Sequence, residues 1–73
     1  MKTQVIKYTG KSRSIWAKVT RKILPNKQIQ LKVQCSNNVN THEWIGYDLE
    51  QASFYWNQYN QDARNFIWIM DAP

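Results

Sequence analysis

One cysteine, one histidine, two glycines and two prolines occur in the 73 residues. A lone thiol, Cys35, cannot close an intrachain disulfide. With no cysteine framework to reinforce a small core, the chain reads as belonging to a reducing compartment, and the cytoplasm is the expected location. Cys35 and His42 together fall short of the roughly four nitrogen and sulfur ligands of a structural zinc site, so no metal and no cofactor is expected. The longest apolar run, Phe66 to Met70, is far below the roughly 20 residues that span a bilayer, so no membrane span is expected. The opening Met1-Lys2-Thr3-Gln4 starts like a secretory signal but lacks the apolar stretch that completes one. Gly10-Lys11-Ser12 ends like a phosphate-binding Walker loop, yet Val5 stands where that loop needs its first glycine. At 73 residues the chain reads as one small basic domain, residues 1–73. A domain of this size buries only about 60% of its unfolded surface, which leaves no room for a nucleotide-binding fold plus a substrate domain.

Acidic residues are absent from the first 34 positions, and this is the most informative gap. Lys2, Lys7, Lys11, Arg13, Lys18, Arg21, Lys22, Lys27 and Lys32 face no acid there, whereas Arg64 alone stands against Glu43, Asp48, Glu50, Asp62 and Asp71 in the remainder. The chain carries a net charge of +5. Such a division points to a polar interaction surface and a polyanionic partner. The plain alternative is that the two halves pack together and neutralise each other.

Periodicity places the charges. Ser14 to Leu24 and Gln28 to Cys35 alternate, with Ile15, Ala17, Val19, Ile23, Ile29, Leu31, Val33 and Cys35 on one side. Leu24-Pro25-Asn26-Lys27 between them supplies turn chemistry. Superposing the apolar faces pairs Ile23 with Ile29 and Val19 with Val33, leaving a loop of Pro25 to Lys27. Lys22 then faces Gln30, Thr20 faces Lys32 and Lys18 faces Gln34. Arg21 breaks the pattern on the inner side opposite Leu31, which predicts a bulge or an open rim. Thr3 to Tyr8 reads as a further strand, and so does Thr41 to Tyr47, which follows a polar loop from Ser36 to Asn40. Asn65 to Met70, apolar on both faces, reads as a covered strand. From Asp48 to Ala63, a capping-box start and an apolar stripe of Leu49, Ala52, Trp56, Tyr59 and Ala63 predict a helix of about four turns; Phe54 and Trp56 alternating is the competing strand signal. The expected class is α+β: a curved, small barrel-like antiparallel sheet of four to five strands with one helix from the C-terminal half.

On that sheet, the outer face of the hairpin carries Trp16, Lys18 and Lys22 beside Lys32, with Lys11 and Arg13 in the preceding loop and Lys27 at the far turn. Lysines neutralise phosphates, glutamines reach base edges and a tryptophan stacks on an unpaired base, so single-stranded RNA or DNA is the expected partner. The same alternation is also what any solvated sheet face shows. A second reading uses the aromatic C-terminal half, with Phe54, Tyr55 and Tyr59 as an interface for a larger protein complex, a regulatory target or a homodimer partner. No nucleophile stands with a base and an orienting group, so a binding module rather than an enzyme is expected. A membrane-surface role fits less well, because the cations lie on strands instead of an amphipathic helix.

Overall fold

Alternating strands and a helical stripe each need a partner for their apolar side. The computed structural model of the chain, which describes residues 2–37 and 41–71, joins them in the order β-β-β-β-α. The strands are β1 (Lys2–Thr9), β2 (Trp16–Ile23), β3 (Ile29–Cys35) and β4 (His42–Gly46), and α1 runs Leu49–Met70. Residues 38–40 of the expected polar loop lie outside the described residues. Each strand pairs antiparallel with the next in the order β1-β2-β3-β4, so the sheet is an open meander with β1 and β4 as edges. The barrel-like closure expected from element order does not occur, because β1 and β4 do not pair.

The hairpin register is the one the apolar faces dictate: Ile23 opposite Ile29, Val19 opposite Val33, Lys22 opposite Gln30, Thr20 opposite Lys32 and Lys18 opposite Gln34. The Lys27 N–H donates to the Leu24 carbonyl at 2.9 Å, and the Leu24 N–H donates to the Gln28 carbonyl at 2.8 Å. These bonds close the loop of Pro25 to Lys27. The left-handed position in it is Lys27, at φ 69°, while the Asn26 side chain instead accepts from the Gln28 N–H at 3.1 Å. Arg21 pairs with Leu31 in an unbroken ladder, so no bulge forms. It sits half-buried at a rim concavity beside Thr3, Gln4 and Ile23, where its head reaches water.

Ala17, Val19, Ile29, Leu31, Val33 and Cys35 form the sheet's contribution to the core. The helix answers with Ala52, Tyr59, Ala63 and Phe66, spaced three, four or seven residues apart along one face. Asp48 is its N-cap, with one carboxylate oxygen accepting from Glu50 N–H at 2.9 Å and from Gln51 N–H at 3.2 Å.

Asn65 to Met70 is not a fifth strand. No glycine or proline interrupts the chain between Ala63 and Met70, so the helix continues to Met70 and measures 22 residues in all, or about 33 Å. Phe66 and Ile67 prolong the buried stripe, and the residues that looked like a second covered face, Trp68, Ile69 and Met70, are exposed.

The helix lies diagonally on one face of the sheet. It starts just beyond Gly46, at the β2–β3 turn end of the β4 edge. It finishes against the β1–β2 loop, where the Lys11 N–H donates to Asp71 Oδ2 at 2.9 Å. At the start, Trp44 stacks on Tyr55 with ring centres 5.7 Å apart. The Trp44 ring lies so close over Gly46 that a Cβ there would meet it at 2.7 Å, so a larger residue would have to displace the ring.

Candidate nucleic-acid interface

Because α1 covers one face only, the other face of the sheet is left open to solvent. Strand pairing sorts its side chains into rows. Thr9 stands beside Trp16; Lys7 beside Lys18 and Gln34; Val5 beside Thr20, Lys32 and Glu43; Thr3 beside Lys22, Gln30 and Ile45. Rows follow one another about 6.6 Å apart, so the stretch from Trp16 to Lys22 is about 20 Å long. The surface is slightly hollow, with a groove of about 350 Å³ bordered by Lys18, Lys22, Gln30, Lys32, Gln34 and Val5.

Lys7, Lys18, Lys22 and Lys32 thus share one face with Trp16. Among the described residues no lysine or arginine forms an ion pair with a carboxylate. The one acid on this face, Glu43, lies on the β4 edge and accepts from the Gln30 amide at 2.9 Å. The other four acids are on the helix side: Asp48 caps α1, Glu50 is in its first turn, Asp62 is half-buried against the inner layer and Asp71 caps its end. Asp71 is not the freely solvated group its position near the end of the sequence suggests, since it holds the Lys11 backbone. The halves therefore pack without joining their charges on the outer face.

Trp16 is half-buried, and the Lys7 ammonium stands 5.8 Å from its ring centre, a cation–π contact. Lys7 was not among the residues expected at the site. The sequence of β1 is ambiguous because Val5, Ile6 and Tyr8 fit either face, and only the pairing with β2 turns Lys7 outward. That pairing sets Lys7 directly opposite Lys18, a like-charge pair that each strand would lose by shifting its face. Of the loop cations, Arg13 is exposed beside the Trp16 end and Lys27 is exposed at the opposite turn. Lys11 lies round the β1 edge on the helix side, in a cleft with Arg64 and Trp68.

The second expected surface does not assemble. Tyr59 is buried, because it falls on the core stripe of α1, so it is a packing residue and not an interface residue. Tyr55 is half-buried between Trp44 and Phe54. Phe54 alone points outward, and is 61% exposed.

Cys35, His42 and Asp62 do line a common hollow of about 380 Å³, at the corner of the sheet that β4 is too short to cover. Cys35 is buried there. Burial first, and the Asp62 carboxylate second, push its thiol above the ordinary value, the reverse of an activated nucleophile. Tyr59 is likewise raised, by burial and then by Tyr55, Asp62 and Glu43. Among the described residues no group of three His, Cys, Asp or Glu is gathered closely enough to hold a metal, and no helix is long and apolar enough to cross a membrane. No family model matches the chain, nor does any curated protein or solved structure.

Proposed function

We propose that this protein is a non-catalytic binding module for single-stranded nucleic acid, RNA or DNA, which lies along the outer face of the sheet. The observation that carries the reading is the alignment of Lys7, Lys18, Lys22 and Lys32 on the one face that the helix leaves open, with Trp16 at its end and no ion pair consuming the charge. Each lysine offers a phosphate contact, Gln34 stands beside Lys18 as an amide donor and acceptor while the Gln30 amide already donates to Glu43, and Trp16 supplies a stacking platform. The Lys7 ammonium, 5.8 Å from the Trp16 ring centre, has to leave the ring for a base to stack there, and its long side chain then lets it turn toward the phosphate. An open, four-stranded face suits an unpaired strand better than a duplex major groove, which takes a helix or a narrow ribbon. A cytoplasmic setting belongs to the same reading, since a lone buried cysteine with no disulfide partner in the chain suits a reducing compartment.

The test is binding to an unstructured oligonucleotide across a salt series. Four phosphate contacts give a log–log slope of about −3, at about −0.7 per contact on a single strand. Trp16→Ala weakens binding by about 1–3 kcal/mol. A salt-independent or undetectable interaction rejects the reading. An accessory protein-binding role is favoured by one observation, the exposure of Tyr47, Leu49 and Phe54 around the start of α1. In that case light scattering shows self-association or a protein complex, with no shift on a polynucleotide.

A further inference from the structure

Beside β1, on the side of the sheet that carries the helix, lies a cleft of about 410 Å³ walled by Tyr8, Ile67 and Trp68 and rimmed by Lys11, Arg64 and Asp71. The volume is in the range of small-molecule sites, about 300–1,000 Å³. Its base is rigid. The Tyr8 hydroxyl donates to Asn60 Oδ1 at 2.8 Å, and the Asn60 amide donates to the Trp56 carbonyl at 2.8 Å, with Asn60 itself buried. Its rim is also held, since Asp71 Oδ2 accepts from the Lys11 N–H at 2.9 Å. Gly10 passes so near that a Cβ would come within 3.2 Å of the Asp71 carboxyl carbon.

Two side chains here lie outside the core, and among the described residues the one hydrogen bond between them and the rest of the fold is from the Arg64 guanidinium to Gln61 Oε1, at 2.9 Å on the exposed helix surface. Trp68 is 80% exposed, although a ring of its size normally finds cover in a core or a partner. Arg64, one turn before it on the same helix face, is the single cation of residues 35–73, and the helix places it beside the basic loop. Asp71 bonds a neutral backbone donor, which leaves two cations against one carboxylate at the rim. A planar π-wall with two cations at its edge is complementary to an aromatic group that carries a phosphate. An aliphatic peptide would use the wall and leave both cations idle.

We propose that this cleft holds one unpaired nucleotide, its base against Trp68 and its phosphate between Lys11 and Arg64, at the end of the track on the outer face. The proposal rests on the nucleic-acid reading above and extends it round the sheet edge. Thr9 links the two regions, since it lines the cleft and pairs with Trp16 on the outer face. The edge strand β1 lies between them with no further strand beyond it, so a polynucleotide can pass round it.

The experiment titrates the whole chain with adenosine and uridine 5′-monophosphates, following the indole N–H signals by NMR. In parallel, binding of a labelled single-stranded oligonucleotide is measured for the wild type, Trp68→Ala, Arg64→Gln and Lys18→Gln. Both cleft residues are exposed, so the two cleft variants keep the wild-type melting curve. The expected results are a shift of the Trp68 signal by the monophosphates, a loss of about 5- to 150-fold in oligonucleotide affinity for Trp68→Ala, and a salt slope shallower by about 0.7 for Arg64→Gln. If Trp68→Ala and Arg64→Gln bind as the wild type does while Lys18→Gln binds less, the cleft proposal is overturned and the track stands. If the oligonucleotide binds nothing but the monophosphates still shift Trp68, the track falls and the cleft stands. Self-association abolished by Trp68→Ala would overturn the proposal by giving the cleft to a second copy of the chain.

Discussion

Lys18→Gln should make the protein more stable and a poorer ligand for nucleic acid. Lys18 faces Lys7 across the β1–β2 ladder and Gln34 across the β2–β3 ladder, so the substitution removes one like-charge pair and breaks no ion pair. Two unit charges about 5.5 Å apart in water repel by about 0.75 kcal/mol. The ammonium ends splay further than that, with that of Lys7 lying toward Trp16, so about 0.3–0.7 kcal/mol is expected, inside the usual cross-strand range. In a domain of this length the gain reads as a rise of about 1–5 °C in Tm. It should fade in about 1 M salt, where the Debye length is about 3 Å. Loss of one phosphate contact should at the same time make the salt slope of oligonucleotide binding shallower by about 0.7. Thermal melts at low and high salt, with anisotropy titrations, measure both. If Tm is unchanged at low salt and the slope is unaltered, Lys18 serves only to solvate the face and the assignment of the outer face fails.

Three other substitutions probe the frame that holds the site. Asp48→Ala should lower stability by about 1 kcal/mol in urea unfolding, since it leaves the Glu50 and Gln51 N–H groups without their acceptor. Tyr8→Phe should lower it by about 1–3 kcal/mol by orphaning Asn60 Oδ1, whereas a loss below about 0.5 kcal/mol would mean that water replaces the hydroxyl. For Cys35 the native thiol keeps its proton at pH values where the unfolded thiol, ionising near pH 8.5, has lost it. The unfolded state then binds fewer protons, so stability is full below that pH and falls as pH rises past it. Cys35→Ala should remove that part of the fall, and an identical pH profile would show that burial does not raise the thiol.

How much of this was legible depends on what each element's pattern was tied to. The β2–β3 hairpin was readable to the residue because two alternating runs share a turn, and only one register keeps both apolar sets on one side. The lysines and Trp16 of the face followed directly. Lys7 did not, because a lone strand with apolar residues at consecutive positions has no preferred face until a neighbour supplies one. The last helical turns were misread for a related reason. A run that is apolar throughout fits a covered strand or a helix equally well, and the unbroken path from Ala63 was the deciding signal. Arg64, Trp68 and Lys11 meet only through the diagonal of the helix, which no local pattern encodes.

That diagonal also explains how the division of charge along the chain becomes a division in space. A meander of four consecutive strands turns alternate residues of the basic half to one side, and the chain then has a single face left on which to lay its helix. The apolar inner layer chooses that face. The acids that α1 carries or that cap it are therefore held behind the sheet, with the core between them and Lys18, Lys22 and Lys32. Only Glu43 reaches the basic side, and it does so from the shortest strand, at the edge, with its carboxylate already accepting from Gln30. The screening that a mixed surface would give the lysines is thus confined to Glu43, which stands opposite Lys32. What the fold leaves on the outer face is four lysines against one carboxylate, and the proposed binding of nucleic acid rests on that surplus.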